Sequence, residues 1–311
     1  MKRVVFIGSS EFALPSLSYL VENGFEVLFV ITQPDGIFGS KKKLKPTPVH
    51  IFAESKKIEV FMPKKLKNND EAFFKILNSG PDLIITASYG NILPLDILKI
   101  PKFSLNVHGS LLPKWRGASP VQHSIISGDT KTGVSIIEMD ENVDTGDILG
   151  QMSTDIKKDE TSEELMKRLS ILGAECLSAT IKDIIENKIT RIKQDDRNAS
   201  YASIIKKEDA LIDWSKSADE IKNLVNGMLP WPVAYTYLNK KRLKIFKVKV
   251  IKNLEEKEKK PGRITNKELL ISCGKDFIQI LELQLESKKK MFYKEFVNGY
   301  NFECYSFSSE F

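Results

Sequence analysis

The sequence predicts an α/β domain followed by a smaller antiparallel β-barrel domain, and three observations carry that reading. Apolar strands alternate with amphipathic helices through the first part of the chain. After Pro230-Trp231-Pro232 the pattern changes to short strands separated by turn residues. The length, 311 residues, exceeds what one hydrophobic core usually supports. The expected boundaries are 1–190 for the first domain, 191–208 for a polar linker and 209–311 for the second.

Taken in order, Lys2 to Gly8 is a β-branched run, and Ser9-Ser10-Glu11 caps an apolar-periodic stretch through Phe12, Leu14, Leu17 and Leu20 that stops at Asn23-Gly24. Phe25 to Thr32 is nearly continuous in apolar residues, as suits a parallel strand covered on both faces. Helices near Pro48 to Lys57 and Asn69 to Leu77 separate further strands at Asp82 to Thr86 and Phe103 to His108, a βαβ series with right-handed crossovers. The GxGxxG positions of a dinucleotide site hold Gly8, Ser10 and Ala13, so a nicotinamide or flavin dehydrogenase is not expected. Thr161 to Asn187 reads as one long amphipathic helix, opened by Thr161-Ser162-Glu163-Glu164 as a capping box. From Asp195 to Asp209 the chain is polar and connecting; Ala234 to Leu238, Leu243 to Val250, Glu268 to Ser272 and Phe277 to Leu283 are the short strands of the barrel.

No apolar run reaches the roughly 18 to 20 residues of a membrane helix, and the opening stretch meets Gly8 too early for a signal-peptide core, so the expected location is the cytoplasm. Cys176, Cys273 and Cys304 are far apart and His50, His108 and His123 form no ligand cluster; neither a metal site nor a disulfide framework is expected. Residues 236–311 hold 17 Lys/Arg against 10 Asp/Glu, whereas residues 1–235 hold 30 against 31. A basic end of this kind fits a phosphate-rich partner, although a solvated lysine face would look the same.

Asn106 and His108 lie two apart on a predicted strand, so their side chains share a face beyond which ligands of α/β sheets collect. An amide donor beside an imidazole suits acyl transfer to an amine, where a tetrahedral oxyanion needs a fixed donor and a proton must move. A strand-end pair that merely caps a turn would carry the same residues. Asp140 to Asp147 supplies carboxylates after the strand Thr132 to Met139, with Gly146 marking a tight turn; one of them is placed to orient His108. A solvated acidic turn is the plainer reading, and the register of a calcium loop does not fit.

Asn106-Val107-His108-Gly109-Ser110-Leu111-Leu112-Pro113, continued by Lys114-Trp115-Arg116-Gly117-Ala118-Ser119-Pro120, resembles the signature of enzymes that use 10-formyltetrahydrofolate, and Asp144-Thr145-Gly146-Asp147 resembles their second block. Thr32-Gln33-Pro34-Asp35, Lys42 to Val49, Ala87-Ser88-Tyr89-Gly90, Ile212-Asp213-Trp214 and Asn226 to Pro232 are similar to segments of the methionyl-tRNA formyltransferase family, which extends the resemblance over essentially the whole chain. The resemblance implies a Rossmann-like formyltransferase domain with an OB-like tRNA-binding domain. It further implies Asn106, His108 and Asp144 as the catalytic trio and Ser110, Leu111, Leu112 and Pro113 as the folate contacts. The co-substrate implied is 10-formyltetrahydrofolate with no metal, and the partner is initiator methionyl-tRNA, bound by a monomer. Lys41, Lys42, Lys43 and Lys45 fall in a loop, Gly36 to Thr47, that resembles the family insertion reaching the tRNA acceptor end; Ser40 stands where an arginine is common. Without the resemblance, a lysine-rich loop is usually only a solvated one. Two other readings share these residues: a formyltransferase acting on a small amine, and an RNA-binding module whose enzyme domain is silent.

Overall fold

Alternation of apolar strand and capped helix builds the first half of the chain, as the computed structural model shows for the described residues 2–38, 43–252, 260–264, 268–299 and 307. The chain divides into two units, one comprising Met1–Pro120, Lys131–Asp155 and Met166–Ser203, the other Val121–Thr130, Ile156–Leu165 and Ile204–Phe311. These differ from the boundaries expected above. Residues 191–203, expected to link, are built into the first unit, and two stretches of the expected first domain group with the second.

In the first unit β1 (Arg3–Gly8), α1 (Leu14–Glu22), β2 (Glu26–Ile31), the hairpin of β3 (Gly36–Phe38) and β4 (Lys43–Lys45), α2 (Pro48–Ser55), β5 (Val60–Phe61), α3 (Asp70–Ser79), β6 (Leu83–Ala87), α4 (Leu95–Leu98) and β7 (Phe103–His108) follow one another. After the short β8 (Arg116–Gly117) and α5 (Pro120–Ile126), which beyond Pro120 groups with the second unit, come β9 (Lys131–Glu138), β10 (Ile148–Asp155) and α6 (Ser162–Ile185), whose start through Leu165 groups with the second unit too. Their seven-stranded sheet runs β10-β9-β7-β6-β1-β2-β5, parallel from β5 through β7, with β9 and β10 antiparallel. β1 and β6 are buried almost throughout, as their continuous apolar runs require. Ser10, Thr47 and Asn69 each accept a backbone N–H at the start of the helical segment they precede. Thr161 and Glu164 close the predicted capping box: the Thr161 N–H donates to the Glu164 carboxylate at 2.9 Å, and the Glu164 N–H to Thr161 Oγ1 at 3.3 Å. Gly8 serves strand packing, because a Cβ there would lie 2.6 Å from the Ala87 carbonyl oxygen.

In the second unit the helix α7 (Ala218–Gly227) opens with a full capping box between Ser217 and Glu220 and buries Ala218, Ile221 and Val225. The strands β12 (Tyr235–Leu238), β13 (Lys241–Ile251), β14 (Leu270–Ser272), β15 (Phe277–Leu285) and β16 (Met291–Phe292) form a five-stranded antiparallel sheet, a half-barrel in keeping with the small antiparallel domain expected, and α8 (Tyr293–Gly299) follows. Leu243 and Ile245 of β13 face the core while Lys247 and Lys249 are exposed, so the strand separates apolar from basic residues. Ile212 and Trp214 are buried, with the indole N–H donating to Thr236 Oγ1 at 3.0 Å and the ring stacked on Phe307. No helix among the described residues is long and apolar enough to cross a membrane.

The β3–β4 hairpin has a charged base. His50 lies 2.9 Å from Asp35 and 3.2 Å from Glu54. Burial works against a charged imidazole, but the bonds and charges of Asp35 and Glu54 outweigh it and hold His50 above its usual value of 6.5. A raised folded value gives stability that is complete below the unfolded value near 6.5 and lost as the pH rises through the folded one. His50→Gln should therefore destabilise more at pH 5.5 than at pH 8.5, read from urea midpoints; a penalty independent of pH would show that the ion pairs do not matter. Of the lysines expected to meet tRNA, Lys45 is exposed and Lys43 opens β4, whereas Lys41, Lys42 and Ser40 lie outside the described residues.

Candidate active site

Strand alternation places Asn106 and His108 on one face of β7, and the loop after β9 brings Asp144 onto them. The Asn106 amide N–H donates to Asp144 Oδ1 at 3.2 Å, and the backbone N–H of Gly117 donates to Asp144 Oδ2 at 2.8 Å. His108 Nδ1 faces Oδ2 of the same carboxylate at 3.5 Å. The trio expected from sequence thus converges, with the His108 and Asp144 side chains only 5% and 11% exposed.

The other imidazole nitrogen fixes the tautomer. His108 Nε2 lies 2.9 Å from the carbonyl oxygen of Trp115, which can only accept, so Nε2 carries the proton and Nδ1 is the nitrogen turned to Asp144. Trp115 and Asp144 both have φ in the left-handed region, +63° and +56°. Two non-glycine residues held there beside one histidine is a concentration of backbone strain of the kind functional sites show.

The loop Ser110 to Pro113 is built from within. Ser110 is fully buried and donates its hydroxyl to the Lys114 carbonyl at 2.6 Å; Leu112 is buried too. Leu111 and Pro113 are part-exposed. Beneath them Ser135 Oγ accepts the Leu112 N–H at 3.0 Å and donates to the Ser110 carbonyl at 2.7 Å, while Gln151 Nε2 donates to Ser135 Oγ and to the Leu112 carbonyl, each at 2.9 Å. The sequence reading missed Ser135 and Gln151, which lie on β9 and β10 with nothing in their spacing to mark them. Ser135→Ala leaves buried groups unpaired at a cost of about 1–3 kcal/mol. It should lower the urea unfolding midpoint accordingly; an unchanged midpoint would show that the loop does not depend on Ser135.

The stretch read as connecting also serves the site. β11 (Tyr201–Ala202) pairs in parallel with β8, and Ser200 accepts the Trp115 N–H at 2.9 Å through Oγ and the Arg116 N–H at 2.8 Å through its carbonyl. The two described cysteines are core thiols: burial pushes Cys176 up to about 11 and Cys273 up to about 12, which suits unreactive groups; Cys304 lies outside the described residues. No group of three His, Cys, Asp or Glu among the described residues is arranged to hold a metal ion.

An amide, an imidazole and a carboxylate at the carboxyl edge of an α/β sheet make a site suited to acyl-level group transfer. Comparison with known proteins agrees: the family described as "Formyl transferase" matches residues 1–181, and "Formyl transferase, C-terminal domain" matches residues 204–301. A methionyl-tRNA formyltransferase of Caldanaerobacter subterraneus is 42% identical over 96% of this chain and 97% of its own, and one of Geotalea uraniireducens is 44% identical over 96% and 95%. The chain belongs to the methionyl-tRNA formyltransferase family. The fold recurs in an N-formyltransferase from Helicobacter canadensis solved with folinic acid and dTDP-3-aminofucose, at a TM-score of 0.67 and 21% identity over 94% of this chain and all (100%) of that one. It recurs also in HypX from Aquifex aeolicus in complex with tetrahydrofolic acid, at 0.62 and 15% over 95% of this chain and 46% of that one.

Proposed function

We propose that this chain transfers the formyl group of 10-formyltetrahydrofolate to the amino group of initiator methionyl-tRNA, giving N-formylmethionyl-tRNA for translation initiation in the cytoplasm. The convergence of Asn106, His108 and Asp144 in a chain similar end to end to methionyl-tRNA formyltransferases carries the reading. The methionyl nitrogen bonds to the formyl carbon, whose carbonyl electrons move onto oxygen, and the second amide N–H of Asn106 donates to that oxyanion. His108 Nδ1 takes the proton the nitrogen sheds and holds it toward Asp144 Oδ2. As the carbonyl re-forms, the bond from carbon to the folate nitrogen breaks, that nitrogen receives the proton, and tetrahydrofolate leaves.

Folate is read as lying along the Ser110 to Pro113 loop, touching its backbone and the part-exposed Leu111 and Pro113. The basic face of β13 supports phosphate contact by the second unit, and Lys41, Lys42, Lys43 and Lys45 are read as contacts to the acceptor end. The protein is read as acting as a monomer without a metal. The decisive assay supplies 10-formyltetrahydrofolate with methionyl initiator tRNA, methionyl elongator tRNA or free methionine. Product on the initiator alone is expected; product on free methionine, or on none, would move the reading to a small-amine formyltransferase.

A further inference from the structure

The Asp144 side chain accepts from Asn106 and Gly117 and faces His108, but its backbone is held by a residue from a different part of the chain. Gln194 Nε2 donates to the carbonyl oxygens of Asp144 and Gly146, each at 2.8 Å. Its amide oxygen accepts from Arg116 Nε at 3.0 Å, and Arg116 Nη2 donates to Asp196 at 2.8 Å. Arg116 is 3% exposed. It directly follows Trp115, whose carbonyl fixes the His108 tautomer. One amide therefore joins the strained turn that presents Asp144 to the segment that orients His108, and both amide ends are used in a sense that an amide flip would destroy.

We infer that Gln194, locked by Arg116, is a positioning residue for formyl transfer: it fixes the Asp144 turn at the distance from Asn106 and His108 that catalysis uses. Neither Gln194 nor Arg116 touches the trio's reacting atoms. Without the two donated bonds, Asp144 must keep a left-handed backbone with two carbonyls unpaired, and a shift of about 1 Å in such a group costs on the order of 100-fold in rate. The inference rests on the reading of Asn106, His108 and Asp144 as the catalytic trio.

The test compares Gln194→Leu and Gln194→Glu with Asn106→Ala and His108→Ala in formylation of methionyl initiator tRNA. Gln194→Glu is nearly isosteric; it keeps an acceptor for Arg116 and loses both donations to the Asp144 turn. Both Gln194 variants should lower kcat about 10- to 100-fold with the KM for folate and for methionyl-tRNA within about twofold of wild type. Their thermal midpoints should stay close to wild type, since Gln194 is only half-buried. A Gln194→Glu enzyme with wild-type kcat would overturn the inference, because the side chain would then matter only as a partner for Arg116. A fall in kcat matched by a rise in both KM values would do the same. If Asn106→Ala and His108→Ala keep full turnover, the catalytic reading itself fails; if they collapse while both Gln194 variants do not, the positioning role alone fails. Should Gln194→Leu not fold, the Gln194→Glu comparison decides.

Discussion

His108→Ala is expected to lower kcat by on the order of 10²- to 10⁴-fold while changing the KM for methionyl-tRNA by less than about threefold. The substitution removes the nitrogen that faces Asp144 Oδ2 at 3.5 Å and leaves the Trp115 carbonyl without its 2.9 Å donor. The second effect alone is a lost buried hydrogen bond, about 1–3 kcal/mol of stability, too little to unfold a domain with an ordinary margin of 5–15 kcal/mol. A rate loss in folded protein therefore belongs to chemistry. Asn106→Ala should cost about 10²- to 10³-fold in kcat, the usual toll of one oxyanion donor, with a further part from the Asp144 carboxylate that loses its 3.2 Å partner. Single-turnover formylation with saturating tRNA, beside a filter-binding isotherm, separates the two quantities. If binding fell as far as turnover in either variant, these side chains would be holding the tRNA instead of moving the formyl group.

What made the trio legible was periodicity. Residues i and i+2 of a strand share a face, so Asn106 and His108 could be paired once Phe103 to His108 was read as a strand, and that span is the one β7 occupies. Asp144 followed from a carboxylate-rich turn after the next strand, and the resemblance then singled it out from its neighbours. The core strands were equally readable, since β1 and β6 are buried, largely apolar runs. Gln194 and Ser200 were not readable, because each acts on backbone groups, and no side-chain pattern records which carbonyl or N–H a distant residue will meet. The polarity of residues 195 to 209 correctly reported exposure, but a polar stretch can add a two-residue parallel strand beside Arg116–Gly117 without any apolar signature. β10 escaped for a related reason: it is an edge strand whose outer half alternates exposed Gln151, Ser153 and Asp155 with part-buried residues, so it lacks the continuous apolar run of the inner strands.

Gly146 shows how the position of Asp144 depends on a contact that composition hides. It was read as marking a tight turn; the left-handed residue of that turn is Asp144, and Gly146 is needed for closeness. A Cβ at Gly146 would lie 1.8 Å from the Glu138 carbonyl oxygen and 2.9 Å from its carbon. Neither is the end of a flexible side chain, so the turn must lift from β9. Lifting it strains the 2.9 Å bond from the Glu138 N–H to the Asp147 carbonyl and both bonds from Gln194. Gly146→Ala is therefore expected to destabilise by on the order of 3 kcal/mol and to lower kcat on the order of 100-fold in the protein that remains folded. Urea unfolding and active-site-normalised turnover measure the two effects separately. Loss of stability with turnover intact would mean that the turn relaxes without moving Asp144, and the dependence of catalysis on this backbone approach would have to be given up.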